Sequence, residues 1–217
     1  MFNAKYLWAN DRNQFCQCVQ YSQTLNDVHP HTLTQNLPEE FPFQKITNKT
    51  IRQHLSAYLR KKLDVLEFPI KNLESPLREW LFLPIQILTD LQHLLGALFF
   101  TEAIKKVVTK QQREQLTSLL GTTIYECILK RASLFMPLLP CNIAPKFSQP
   151  DLPANILEAG QFFQEYCLCN SSEPLLKRFT LKFDPTFTWN FEHRTDPTEQ
   201  MKLISLCDLL INKELKK

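Results

Sequence analysis

The sequence predicts a mainly α fold: a single compact multi-helix domain over residues 1–217, with room for one short β-hairpin near residues 179–191. Three observations lead there. Leucine and isoleucine recur at spacings of three and four through the middle of the chain, the period of one helix face. Serine, threonine or aspartate stands ahead of several of these stripes, often with Glu or Gln three residues on, the pattern that caps a helix N-terminus. Three glycines against fourteen prolines leave few positive-φ turns for hairpins or phosphate-cradling loops, while suiting helix starts and rigid connections.

Taken in order, residues 5–22 read as a helix. Residues 23–50, with Pro30, Pro38 and Pro42, read as an irregular connection, because proline disfavours helix at the residue before it. Ile51, Leu55, Tyr58 and Leu59 then share a helical spacing, with Arg52, Arg60, Lys61 and Lys62 turned elsewhere. Ser75-Pro76 has the form of an N-cap with proline at the first helical position. After Pro84, Ile85, Leu88, Leu91 and Leu95 make one apolar stripe, and Gly96 stands where a left-handed C-cap would close it. Thr109 and Gln112 fit a capping box for a helix carrying Leu116, Leu119 and Leu120 and ended by Gly121. Thr123 and Glu126 repeat the device ahead of Ile124, Cys127 and Ile128.

Residues 136–153 are rich in proline and read as a connecting loop, from which Pro153 starts a helix to Cys167 with Ile156, Gly160, Phe163 and Cys167 on one side. Phe179, Leu181 and Phe183 alternate with polar residues, and alternation resumes at Phe187, Trp189 and Phe191 after Asp184-Pro185-Thr186. That is the hairpin pattern. Asp196-Pro197 with Glu199 caps a last amphipathic helix bearing Met201, Ile204, Cys207, Leu210 and Ile211.

The chain is 44% hydrophobic and 22% charged over 217 residues, in the ordinary globular range. At this length folding buries roughly 70% of the unfolded surface, so the core needs no metal or disulfide to complete it. The net charge of +3 implies no polyanionic partner by itself. Seven cysteines is an odd count in a chain that needs no staples. Met1-Phe2-Asn3-Ala4-Lys5 opens no signal-like apolar run, and the stretch 80–100 is too broken by Pro84, Asp90, His93 and Gly96 for a membrane span. A cytosolic protein with reduced thiols and no direct membrane insertion is expected.

Candidate chemistry is sparse. Cys16-x-Cys18 with His29-x-His31 supplies four zinc-type ligands, but the cysteine spacing is short and the two would point apart on a helix. Buried cysteine and loop histidines are the preferred reading, and no metal or cofactor is expected; Cys167-x-Cys169 lacks a histidine pair. A cysteine nucleophile needs a histidine base and an orienting group, and no local sequence marks one cysteine for it. The stretch 101–131 could imitate a helix-turn-helix with Lys105, Lys106, Lys110 and Arg113 on phosphates, yet Gln115, Thr117 and Ser118 offer little base-reading chemistry. A solvated basic face is preferred to a nucleic-acid interface. The aromatics of 179–191 read as core rather than as a docking ribbon.

The central block nevertheless has a recognisable order. Leu83-Pro84 precedes a leucine helix ending at Gly96; Ile104 and Val107-Val108 follow, then Gln112 and Leu116, then Leu119-Leu120-Gly121, Tyr125 and Leu129-x-Arg131-Ala132. This order resembles the SctK (YscK-type) accessory proteins of the bacterial type III secretion sorting platform. Two flanking segments agree: His29-Pro30 with Leu33, and Gly160 followed by Pro174, Arg178 and Leu181-Lys182. The resemblance spans about residues 15–183. It stops short of Phe187, Trp189, Phe191 and the helix from Pro197 to Ile211, so residues 184–217 form a C-terminal extension. The chain also runs Lys182-Phe183-Asp184-Pro185 where the family closes on leucine-proline.

The resemblance implies a non-catalytic adaptor at the cytoplasmic side of the inner membrane. It would link the cytosolic domain of the ring protein (SctD) to the pod protein (SctQ), and indirectly to the stator and ATPase. The contact candidates are the basic face of Lys105, Lys106, Lys110 and Arg113 and the loop His29–Leu33, with Pro30. The rival readings are a cytosolic helical enzyme using a cysteine or a metal, and a DNA-binding regulator.

Overall fold

A computed structural model of the chain describes residues 28, 30–37, 49–65, 78–140, 151–193 and 195–216. Over these residues the fold is mainly α, as expected: nine α-helices and no strand among the described residues. They are α1 (Pro30–Asn36), α2 (Lys49–Lys62), α3 (Arg78–Phe82), α4 (Ile85–Phe99), α5 (Thr101–Lys105), α6 (Lys110–Phe135), α7 (Leu152–Leu168), α8 (Glu173–Thr180) and α9 (Pro197–Leu210). A 3₁₀ turn, Met136–Leu138, follows α6 and a π-helical turn, Ile211–Leu215, follows α9. The expected helix over 5–22 and the Ser75-Pro76 cap lie outside the described residues.

The chain forms two units, Met1–Phe82 with Ser171–Thr188, and Leu83–Asn170 with Trp189–Lys217. In the first, Val28, Leu33, Leu59 and Val65 make a buried cluster, with Leu37, Leu55, Leu63 and Leu181 packed against it. Part of the segment expected to be irregular is thus helical: α1 starts at Pro30, whose fixed φ suits a first helical position, and it contributes Leu33 to the core. Lys62 donates to the Asn36 carbonyl at 2.8 Å, capping the C-terminal end of α1. Of the stripe expected on α2, Leu59 is buried and Leu55 packs against this cluster, whereas Ile51 and Tyr58 are exposed and Ser56 is buried.

The C-terminus of α2 closes on Asp64, which holds φ at 52°. Val65 N–H reaches back to the Arg60 carbonyl at 2.9 Å and Val65 itself is buried, which is the Schellman arrangement with its hydrophobic contact. Left-handed backbone is unfavourable for an L-residue, and among the described residues the Asp64 carboxylate has an exposed 3.4 Å contact with Lys177 in return. Asp64→Gly should therefore raise stability by roughly 0.5–1 kcal/mol, read from the urea midpoint.

The segment 179–191 is not a hairpin. Phe179 and Thr180 complete α8, which Pro174 starts in its first turn, and Phe179 meets Phe183 one helical turn on at 5.1 Å between ring centres. A spacing of four suits a helix and the turns that follow it as well as the alternation of a strand: Phe179 lies in α8, and Phe183 in the turns beyond its end. Asp184-Pro185-Thr186 is a local polar turn: Asp184 Oδ1 accepts from Thr186 N–H at 2.9 Å and from its hydroxyl at 2.6 Å. These two bonds, with His31 adding a smaller contribution, hold the Asp184 carboxyl below its ordinary 3.8, at about 2. A depressed carboxyl stabilises the fold above its unfolded value and loses that contribution as pH falls from about 4 through 2. In Thr186→Val the Asp184 midpoint, followed by carboxyl NMR, should climb back toward 3.8.

In the second unit α4 is the central helix. Leu88, Leu91, Leu94, Leu95, Ala97 and Leu98 are all buried, so apolar residues surround it as befits a core helix. It packs on α6, α7, α9 and the π turn. Gly96 is not a C-cap: α4 continues to Phe99, because Gly96 is the point where α7 crosses. A Cβ there would run into the Ile156 carbonyl oxygen, and one on Gly160 into the Gln92 carbonyl oxygen. Two glutamines tie the same crossing: Gln92 Nε2 donates to Leu157 O at 3.4 Å and Gln164 Nε2 to Leu88 O at 2.8 Å.

Gly121 does end a helical segment. Its φ of 74° and ψ of 156° divide α6 into 110–120 and 122–135, a backbone only glycine adopts readily. Thr109 caps α6, accepting from Gln112 N–H at 3.4 Å and donating to Gln112 Oε1 at 2.7 Å. Glu126 is drawn instead to Lys130 at 2.7 Å. The region 136–153 is shorter as a connection than expected, because Met136–Leu138 is a 3₁₀ turn and Asp151 caps α7 through the Ala154 N–H. Residues 141–150 lie outside the described residues. Asp196 caps α9 through Thr198 N–H at 2.7 Å. Ile204, Cys207, Leu210 and Ile211 are buried as expected, but Met201 is 54% exposed. The π turn is held by Glu214, whose carboxylate takes Arg131 Nη1 at 2.9 and 3.0 Å.

Candidate functional site

The four basic contact candidates come together at one corner of the second unit, where α5 turns into α6. Lys105 ends α5, Lys106 caps it, Lys110 opens α6 and Arg113 lies one turn along. All four are exposed. The face is not purely cationic, since Lys105 stands 3.8 Å from Glu102 and Lys110 3.7 Å from Glu114. The turn between the helices is firmly built. Val107 N–H bonds Ile104 O at 3.2 Å, Arg113 Nε bonds Val107 O at 3.2 Å, and Thr109 caps the next helix. Its tip is Val108, 77% exposed.

The second candidate group behaves differently. His29 and the side chain of Pro30 lie outside the described residues, and Leu33 is buried in the core of its own unit. His31 is exposed, with Nδ1 at 3.4 Å from Asp184 and Nε2 at 3.4 Å from Gln35. Cys16 and Cys18 also lie outside the described residues. Among the described residues no group of three metal-ligating side chains is assembled.

Among the described residues there is a dense polar constellation that the sequence did not announce. Glu165 on α7 is 5% exposed. Its Oε1 accepts from Asn190 N–H and from Gln161 Nε2, both at 2.8 Å, and its Oε2 lies 3.0 Å from His193 Nε2. Phe162 meets the His193 ring edge-on at 4.9 Å. Nearby, Tyr166 hydroxyl accepts from Asp196 N–H at 3.1 Å, and Gln200 Nε2 donates to the Tyr166 and Cys167 carbonyls at 3.1 and 3.0 Å. Those carbonyls belong to the last turn of α7, so Gln200 satisfies acceptors that the helix end leaves open. A carboxylate–imidazole pair can orient a base, but here both Glu165 oxygens are used by the chain itself to strap residues 190–193 onto α7. Partners 25 and 28 residues away in sequence leave no local signal.

Among the described cysteines, Cys167 and Cys169 sit where a thiolate is disfavoured. Cys127, Cys167 and Cys207 are buried. Burial pushes the Cys167 thiol well above its ordinary value, the Cys207 thiol 4.0 Å away adds to it, and burial also raises Cys169. The thiolate is the nucleophile and metal ligand, and this setting disfavours it.

No protein-family model, no curated protein and no solved structure matches the chain. Among the described residues no helix is long and apolar enough to cross a membrane.

Proposed function

We propose that this chain is a non-catalytic adaptor of a type III secretion system, of the SctK type, joining the cytosolic domain of the inner-membrane ring protein to the pod protein at the cytoplasmic side of the membrane. The observation that carries the reading is the order of Gly96, Gly121, Gly160 and Arg178-x-x-Leu181-Lys182 along the chain. Several of these residues hold positions where the fold constrains them. Gly96 and Gly160 form the α4–α7 crossing, Gly121 breaks α6, and Leu181 packs on the core of the first unit. Arg178 and Lys182 are buried cations and neither is without a partner.

An adaptor needs rigid helices and exposed polar faces, and the corner between α5 and α6 offers such a face. The test is gentle crosslinking in the native bacterium followed by purification of this chain. Ring and pod proteins should be recovered together with it; recovery of neither would sink the reading.

A further inference from the structure

We infer that the α5–α6 corner is a docking point for an acidic protein segment that carries an apolar side chain onto Val108. Three features of the corner lead to this occupant. Val108 is the most exposed of the large apolar residues described, at 77%, and a protruding aliphatic side chain gains free energy only when something covers it. It sits at the centre of a short stretch holding Lys105, Lys106, Lys110 and Arg113. A covering partner must therefore tolerate or complement positive charge, which selects against basic and neutral surfaces. The tip is also held in place by the Ile104, Thr109 and Arg113 hydrogen bonds, so docking orders little further chain.

Nucleic acid is the poorer occupant. Glu102 and Glu114 lie among the cations at 3.8 and 3.7 Å from two of them, and a phosphate backbone would be repelled by both. An acidic peptide can interdigitate: its carboxylates take Lys106 and Arg113, its own cations or amides face the glutamates, and its apolar side chain covers Val108. The chemistry follows from the corner, and only the partner's identity rests on the adaptor reading.

The experiment places a photo-crosslinking phenylalanine analogue at position 108 of the full chain in its native cell and sequences the adducts by mass spectrometry. One principal adduct is expected, within a segment rich in Asp and Glu around an apolar residue. Adding Lys106→Glu with Lys110→Glu, which leaves the Arg113 bond to Val107 in place, should reduce its yield at least tenfold while leaving the melting temperature within about 2 °C. An adduct to a basic or neutral segment, to nucleic acid or to a second copy of this chain overturns the proposal, as does the absence of any adduct. The two readings fail separately. An acidic segment on a protein outside the secretion apparatus keeps the docking corner and removes the adaptor; ring and pod recovery without the adduct does the reverse.

Discussion

Gly96→Ala should destabilise the protein by about 3 kcal/mol, at the upper end of what overpacking costs. The methyl would meet the Ile156 carbonyl oxygen, with the carbonyl carbon at 2.8 Å and the Gly160 nitrogen at 3.1 Å. All three are backbone atoms of α7, so no side chain can swing aside. Gly160→Ala mirrors this against the Gln92 carbonyl, whose carbon would lie at 2.7 Å. Each glycine already costs its helix about 1 kcal/mol relative to alanine, so the gain in propensity offsets only part of the clash. Once one methyl has pushed the helices apart, the second fits more easily, and the double variant should cost less than the sum of the singles. Urea unfolding measures all three. Single variants as stable as the parent would mean that α4 and α7 do not cross this closely.

Glu165→Ala should cost about 2 kcal/mol, because it leaves a half-buried imidazole, an amide side chain and a backbone N–H without their acceptor. The loss is local in effect. Asn190 N–H, which donates to Oε1 at 2.8 Å, should exchange with deuterium far faster than in the parent. Glu165→Gln retains one acceptor oxygen and should fall between the two. A cycle with His193→Ala should return a coupling of about 1 kcal/mol or more, from the 3.0 Å contact. Exchange at Asn190 unchanged in Glu165→Ala would show that the strap is held by something other than this carboxylate.

These two effects mark where sequence reading succeeds and where it stops. Helices announced by local chemistry are legible: Thr109 and Asp196 cap where expected, and Gly121 ends a segment because no other residue takes its backbone angles readily. Gly96 carries the same local signal as Gly121 but a different cause, since what requires glycine there is the backbone of α7, some sixty residues on. The stripe on α2 holds only in part for a related reason. Leu55 and Leu59 face the core as the period suggests, but Ile51 and Tyr58, which satisfy it equally, are exposed and Ser56 is buried. The hairpin fails because a spacing of four is shared by both secondary structures: Phe179 and Thr180 belong to α8, which Pro174 opens, and residues 181–191 are turns and irregular chain.

Site residues divide in the same way. A cluster of cations close in sequence, Lys105 to Arg113, stays a cluster in space. Glu165 and His193 meet only through tertiary packing. Leu33, taken as part of a contact loop, turns out to be core because α1 forms where proline suggested irregular chain.

The adaptor reading is tested most directly by sedimentation velocity on three purified components: this chain, the cytosolic domain of the ring protein and the pod protein. Ring domain and pod protein should sediment separately when mixed alone and as one ternary species when this chain is added. If they stay apart in its presence, or associate equally well without it, the chain is not the link between them.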